Sequence, residues 1–168
     1  ASGQQIRYVT APARSGATLA DPDATSPVYS SSIAIDGATV VKAALFSTDG
    51  KTRGPTRTVY YSRIGADLAA ATSELPVLVI DTLGFGPLVK DGIDRPAWLH
   101  SYATRSNGAP VFSSAPELTS PLRISVRGST SAQFPKKGYG ISFTDELGRG
   151  DDPAWLDLGT HEKWVLSA

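Results

Sequence analysis

The sequence contains no cysteine, so neither a disulfide framework nor a thiolate zinc site can form. Its only imidazoles are those of His100 and His161, which lie far apart in the chain, so a histidine zinc centre is not expected. The 16 basic and 16 acidic residues cancel, whereas nucleic-acid binders usually carry a basic excess. No apolar run reaches the ~18 residues that a membrane helix needs. The sequence therefore argues against zinc binding, nucleic-acid binding and membrane insertion.

Methionine is also absent, and the chain opens at Ala1 without the basic segment and apolar stretch of a signal peptide. We therefore expect a mature or excised piece of a longer polypeptide. Artificial trimming of a longer chain is the open alternative.

Helical periodicity is scarce, and short helices are predicted only as options at residues 64–71 and 153–158. Short β-branched and apolar segments recur instead, with turn residues at spacings of about ten positions, as in a sandwich or barrel. The clearest segment, residues 38–46, is bounded by the turn signals Asp36-Gly37 and Asp49-Gly50. Further strands are predicted at residues 6–10, 56–61 and 122–126. The sequence thus predicts a mainly β protein.

A Gly- and Ala-rich stretch at residues 62–73 follows one predicted strand and precedes another. We therefore predict a first domain at residues 1–62, a connector at 63–73 and a second domain at 74–168.

The first domain resembles the chitobiase and hexosaminidase C-terminal-like family. The resemblance lies in three ordered motifs, Ile6-Arg-Tyr-Val-Thr10, Pro27-Val-Tyr29 and Thr39-Val-Val-Lys-Ala43. It implies an immunoglobulin-like sandwich that serves as a spacer beside an extracellular enzyme. Thr10-Ala-Pro12 stands where the family usually has Asp-Gly, and the family's first strand has no counterpart. An incomplete sandwich with an open edge is therefore expected, and such an edge invites pairing with another chain.

The second domain carries a cationic stretch with no acidic residue between Leu118 and Thr144. A glycine and several hydroxyls follow Arg127, and exposed amides, hydroxyls and a guanidinium together suit a phosphate group. The candidate phosphate-binding residues are Arg127, Gly128, Ser129, Ser131, Lys136 and Lys137. The two lysines are expected on the next strand, facing opposite sides, so that only one shares the site. Two alternatives stay open: a solvated basic face, or pairing with the acid-rich segment 145–162.

The same residues, Arg127-Gly-Ser-Thr-Ser-Ala-Gln-Phe-Pro-Lys-Lys-Gly-Tyr139, resemble the signature of the CotH (spore-coat-type) kinase family. Three further blocks, at residues 73–82, 94–98 and 156–166, resemble other parts of that family in the same order. The resemblance implies the N-terminal part of a secreted or cell-surface atypical kinase that phosphorylates Ser or Thr with ATP and Mg²⁺ or another divalent metal. It also implies that the six candidate residues bind nucleotide.

Departures from the family limit what this chain can do alone. Gly138 replaces a usual Ser, Glu162-Lys163 replaces a usual Asp before Trp164, and the family's metal-binding and catalytic carboxylates would follow Ala168. The resemblance therefore implies no catalytic residue, no metal ligand and no cofactor bound to this chain alone. The expected partner is the missing C-terminal half or further copies of the chain. A structural surface or matrix protein that uses the same scaffold without catalysis is the alternative function.

Other polar candidates have ordinary structural explanations. The pair Asp151-Asp152 has the chemistry to bind a divalent cation, but such a pair before Pro153 is more often a solvated turn or a cap. Asp81 is expected at the end of a buried strand, as a turn cap or a functional carboxylate. The final segment, 163–168, reads as a strand that is apolar on both faces, and such a strand normally lies inside a sheet or core. Because the family continues beyond this point, we expect this end of the chain to expose apolar surface and to leave strand edges unpaired, which favours association.

Overall fold

The computed structural model describes residues 3–13, 19–104 and 108–167. The chain divides into two compact units, Ala1–Arg63 (unit 1) and Ile64–Ala168 (unit 2). The described residues form eight strands, and their only helical segments are the short 3-10 turns Val111–Ser113 and Thr130–Gln133. The mainly β fold predicted from the sequence is confirmed. No helix in the described part of the chain has the length and apolarity to span a membrane.

Unit 1 contains one antiparallel sheet with the strand order β1-β2-β3. Its strands are β1 (Gln4–Pro12), β2 (Thr39–Ser47) and β3 (Arg57–Tyr61). Alternate residues of the central strand β2, namely Val40, Ala44 and Phe46, are buried on one face. The other face of the sheet is partly open to solvent.

The open face of unit 1 is apolar. The register sets Ile6 opposite Leu45 and Val41 opposite Val59, and it brings Tyr61 to the same side. Exposed fractions are 42% for Ile6, 47% for Leu45, 38% for Val59 and 45% for Tyr61. We call these four residues the exposed apolar face. A groove of about 420 Å³ on this side is lined by Ile6 and Tyr61 of that face and by Tyr8 and Tyr29.

A charged cluster ties the segment before β2 to the sheet of unit 1. The Asp21 carboxylate accepts hydrogen bonds from Lys42 Nζ at 3.0 Å, Arg53 Nη2 at 3.3 Å and Thr56 Oγ1 at 2.9 Å. These contacts, with the Lys42 bond as the largest cause, lower the pKa of Asp21 below its usual value of 3.8. These contacts of Asp21, which we call the polar clamp, stabilise unit 1 together with its small buried face.

Unit 2 is built on a five-stranded antiparallel sheet in which strand order follows chain order. The strands are β4 (Val77–Asp81), β5 (Arg95–Tyr102), β6 (Leu118–Val126), β7 (Tyr139–Phe143) and β8 (Lys163–Leu166). Their inward residues form one core, Ala97, Leu99, Leu122, Ile124, Ile141 and Phe143, which Trp155 joins from the loop before β8. Trp155 Nε1 donates a 2.9 Å hydrogen bond to the buried Ser101 Oγ, so its polar atom is satisfied in the core.

Neither short helix considered from the sequence forms. Residues 66–70 form successive turns, with bonds such as Leu68 N to Gly65 O at 3.0 Å. In the second segment Leu158 N bonds to Trp155 O at 3.0 Å, while Leu156 and Asp157 have φ angles of 53° and 56°. Two successive residues with positive φ make a tight hairpin turn rather than a helix. This reversal carries Trp155 to the core.

The last strand lies at the rim of its sheet and exposes apolar surface, as expected from the sequence. Within the described residues, β8 is the outer neighbour of β7. Trp164 and Leu166 pack against the core, whereas Val165 is 51% exposed on the other face.

Candidate functional site

The loop that joins β6 to β7, residues 127–138, holds all six candidate residues. They are Arg127, Gly128, Ser129, Ser131, Lys136 and Lys137. Arg127 N donates to Gly138 O at 2.8 Å and closes the base of the loop. The structure therefore gathers these residues on one connection, with most of them exposed.

Gly128 is required by the local geometry of this loop. Its φ is 92°, and a Cβ built there would lie 2.1 Å from Ser131 Oγ and 3.4 Å from Ala132 N. The absence of a side chain lets the chain turn from β6 into the short turn Thr130–Gln133. The Ser129 and Ser131 hydroxyls are thereby presented within four residues of the Arg127 backbone.

Arg127 projects from the outer face of the sheet. A Cβ at Gly140 would meet Arg127 Cδ at 3.1 Å, so the arginine stem lies over that glycine on β7. Arg127 follows Val126, the last residue of β6, and is exposed. In the described part of the chain no carboxylate pairs with its guanidinium.

The two lysines have different roles, and the prediction that both lie on the next strand is wrong. β7 begins only at Tyr139, so both precede it in the loop. Lys137 Nζ donates to Ala132 O at 2.9 Å and lies 3.5 Å from Phe134 O, which stabilises the 3-10 turn. Lys136 is exposed and has no such contact with a described residue. Of the two ammonium groups, that of Lys136 is the one available to a ligand.

The acid-rich segment does not neutralise this loop. Within the described ranges, its ion pairs are local: Arg149 with Asp145 at 2.6 Å, and Lys163 with Glu162 at 4.0 Å. The alternative in which the basic residues simply pair with residues 145–162 therefore receives no support from the geometry. The positive charge of Arg127 and Lys136 is left for solvent or a ligand.

One cation near the loop was missed by sequence reasoning. Lys90 Nζ donates to Val126 O at 3.2 Å, directly beside Arg127, across a separation of 36 positions. No spacing rule connects two residues so distant in the chain. Only the folded loop between β4 and β5 brings them together.

The acidic residues do not assemble into a metal site. Among the residues that the structure describes, no group of three or more His, Cys, Asp or Glu side chains is arranged to hold an ion. Asp151 Oδ1 accepts a bond from Asp152 N at 3.0 Å, which is the local contact expected of a turn. The described carboxylates do not by themselves fit the divalent ion of a kinase site.

His100 lies on β5, close to Asp81 but away from the loop. It is 7% exposed, and its Nδ1 lies 3.4 Å from Thr119 Oγ1. Burial lowers the pKa of His100, and the charge of Asp81 partly opposes that shift. Thr119 stands at the start of β6 and Arg127 just beyond its end, so this pair is remote from the candidate site.

The site therefore comprises exposed cations and hydroxyls on the 127–138 loop, with Lys90 beside it and no carboxylate cluster in the described residues. Such a set of groups can bind an anion. Comparison of the chain with protein-family models, curated proteins and solved structures finds no match.

Proposed function

We propose that the 127–138 loop binds the phosphates of a nucleotide such as ATP. The chain would then be the nucleotide-binding part of an extracellular or cell-surface CotH-like Ser/Thr kinase. The observation that carries this proposal is the exposed Arg127, which has no described acidic partner and stands beside Gly128 and the Ser129 and Ser131 hydroxyls. A guanidinium presents a planar fork of donors that matches phosphate oxygens.

The proposal assigns binding to this chain and catalysis to other residues. Phosphoryl transfer needs metal ligands and a carboxylate that orients the nucleophile. The described residues provide no such cluster, so these groups would come from a partner segment, either a C-terminal half or another copy. When bound with ATP, Mg²⁺ would neutralise phosphate charge. We expect this chain alone to transfer no phosphate, and transfer from ATP to a protein by the purified chain would contradict that expectation.

Calorimetric titration with ATP and Mg²⁺ tests the binding site. Arg127→Ala should weaken binding by about tenfold, because a charge-assisted hydrogen bond is lost. Arg127→Lys should recover only part of the affinity, since lysine lacks the bidentate fork. Arg57→Ala, at an exposed position of β3 in unit 1, is the matched control. Equal ATP affinity in the Arg127→Ala variant and the unsubstituted chain would refute the assignment.

A second candidate function, assembly of a surface or matrix structure, is favoured by the exposed apolar face of unit 1. Four large apolar side chains stand together there, each more than a third exposed. Exposed apolar surface of this kind often marks an interaction site. In this function the partner would be a further copy of the same chain.

Sedimentation velocity distinguishes this second function from the first. We expect the purified chain to self-associate in a concentration-dependent manner. The double substitution Leu45→Lys and Val59→Lys should shift it toward monomer, because two charges would be desolvated at the contact. Thr48→Lys, in an exposed turn of the same unit, controls for added charge. A chain that stays monomeric at high concentration would exclude assembly through this face.

A further inference from the structure

The side chain of Lys90 bonds a backbone carbonyl at the end of β6 that the neighbouring strand β5 does not reach. Arg127 N bonds to Gly138 O on the β7 side, and successive residues of a strand direct their backbone groups to opposite sides. Val126 O therefore faces the β5 side. β5 begins at Arg95, opposite Ile124, and does not extend to Val126. Lys90 Nζ fills the gap with its 3.2 Å hydrogen bond to that oxygen.

The backbone around Lys90 is anchored on both sides. Leu88 packs against the core of unit 2. Asp91 forms a paired contact with the Arg95 guanidinium, including Nη1 to Oδ1 at 3.0 Å, and accepts a 3.0 Å bond from Ile93 N. The side chain of Lys90 is thus exposed but starts from a fixed position, which reduces the entropy lost when it contacts a ligand.

Lys90 retains binding capacity after its structural contact. An ammonium group has three donors, and the bond to Val126 O uses one of them. Within the described residues no carboxylate pairs with Lys90, Arg127 or Lys136. Lys90 lies on the β5 side of the end of β6, whereas Lys136 belongs to the loop that returns on the β7 side. Unneutralised cations therefore flank this strand end from both directions.

We propose that Lys90 is a further phosphate-binding residue of this site, and that it favours a polyphosphate over a single phosphate group. The inference rests on the proposed nucleotide site and extends it to the loop between β4 and β5. A ligand with several phosphates offers charge to cations on both sides of the strand end, whereas one phosphate group has fewer oxygens to share between them.

Calorimetric titration of the whole chain with tripolyphosphate and with inorganic phosphate provides the test. Lys90→Gln keeps an N–H donor for Val126 O but removes the charge, and Lys90→Arg keeps the charge. Lys90→Gln should weaken tripolyphosphate binding by about three- to tenfold and affect inorganic phosphate less. Lys90→Arg should bind like the unsubstituted chain. Lys51→Gln, an exposed lysine of unit 1, is the matched control, and thermal unfolding of Lys90→Gln should be unchanged.

The outcomes separate this inference from the proposed function. If Arg127→Ala loses affinity while Lys90→Gln does not, the role of Lys90 is overturned and the nucleotide site stands. If Lys90→Arg binds tripolyphosphate as poorly as Lys90→Gln, the positive charge at this position does not determine the affinity, and the inference again fails. If the unsubstituted chain binds neither ATP nor tripolyphosphate, the proposed function and the inference fall together.

Discussion

The two units use the same antiparallel architecture but bury their sheets to different extents. In unit 2 both faces of β5 are buried: Leu99 is 0% exposed on the inward face, and Trp98 and His100 are 5% and 7% exposed on the other. In unit 1 one face is buried, while Ile6 and Leu45 on the other remain more than 40% exposed. Unit 2 also has a loop tryptophan, Trp155, that covers its core. A sheet becomes a stable unit only when another element covers an apolar face.

The largest expected loss of stability comes from removing the Trp155 side chain from the core of unit 2. Trp155→Ala should lower the free energy of unfolding of this unit by about 3–5 kcal/mol, since it opens a cavity in the core. It also removes the donor to the buried Ser101 Oγ. Denaturant titration followed by circular dichroism measures the loss. Trp155→Phe should cost less, because it keeps part of the contact with Phe143. A loss below about 1 kcal/mol would mean that Trp155 is not a major part of the core.

A smaller loss of stability is expected in unit 1 when the polar clamp around Asp21 is removed. Asp21→Ala should reduce its stability by about 1 kcal/mol, because the carboxylate bonds three groups but is partly exposed. The pKa of Asp21 is lowered on folding, so its contribution is present above the usual value of 3.8 and is lost as pH falls through the folded pKa. Stability curves of Asp21→Ala and the unsubstituted chain should therefore converge in acid. Parallel curves down to low pH would contradict this role.

The smallest expected effect is a dependence of stability on pH near neutrality, which we expect from the histidine His100 in unit 2 and not in unit 1. Burial lowers the pKa of His100 in unit 2 from its usual value of 6.5, so the unfolded state takes up a proton more readily than the folded state. Stability of unit 2 should be unaffected above that value and should fall as pH drops from about 6.5 toward the lower folded pKa. Unit 1 contains no histidine.

Unfolding of the His100→Gln variant across this pH range measures the contribution. The slope seen in the unsubstituted chain should flatten in this variant and persist in His161→Gln, whose imidazole is exposed. An unchanged slope in His100→Gln would assign the dependence to other groups.

Local sequence patterns predicted these strands well, because the alternation and β-branching that favour a strand lie within the strand's own residues. The β-branched segment at 38–46 became β2, shifted by one residue, and the segment at 122–126 became the second half of β6. The two optional helices did not form. Residues 66–70 are exposed, and a short helix needs an apolar face to bury, whereas Leu156 and Asp157 have positive φ angles that a helix excludes. The immunoglobulin-like and CotH resemblances stay predictions, and so does the nucleotide site.

By itself the sequence determined the mainly β fold, the turns rich in glycine and the placement of Arg127, Gly128 and the serines on one connection. These features depend on neighbouring residues, through side-chain alternation and the backbone freedom of glycine. Only the tertiary structure decided that Lys137 stabilises the 3-10 turn while Lys136 is available, and that Lys90 reaches Val126 O. Those outcomes depend on which carbonyls remain unpaired once the strands have met, and that is settled between segments distant in the chain.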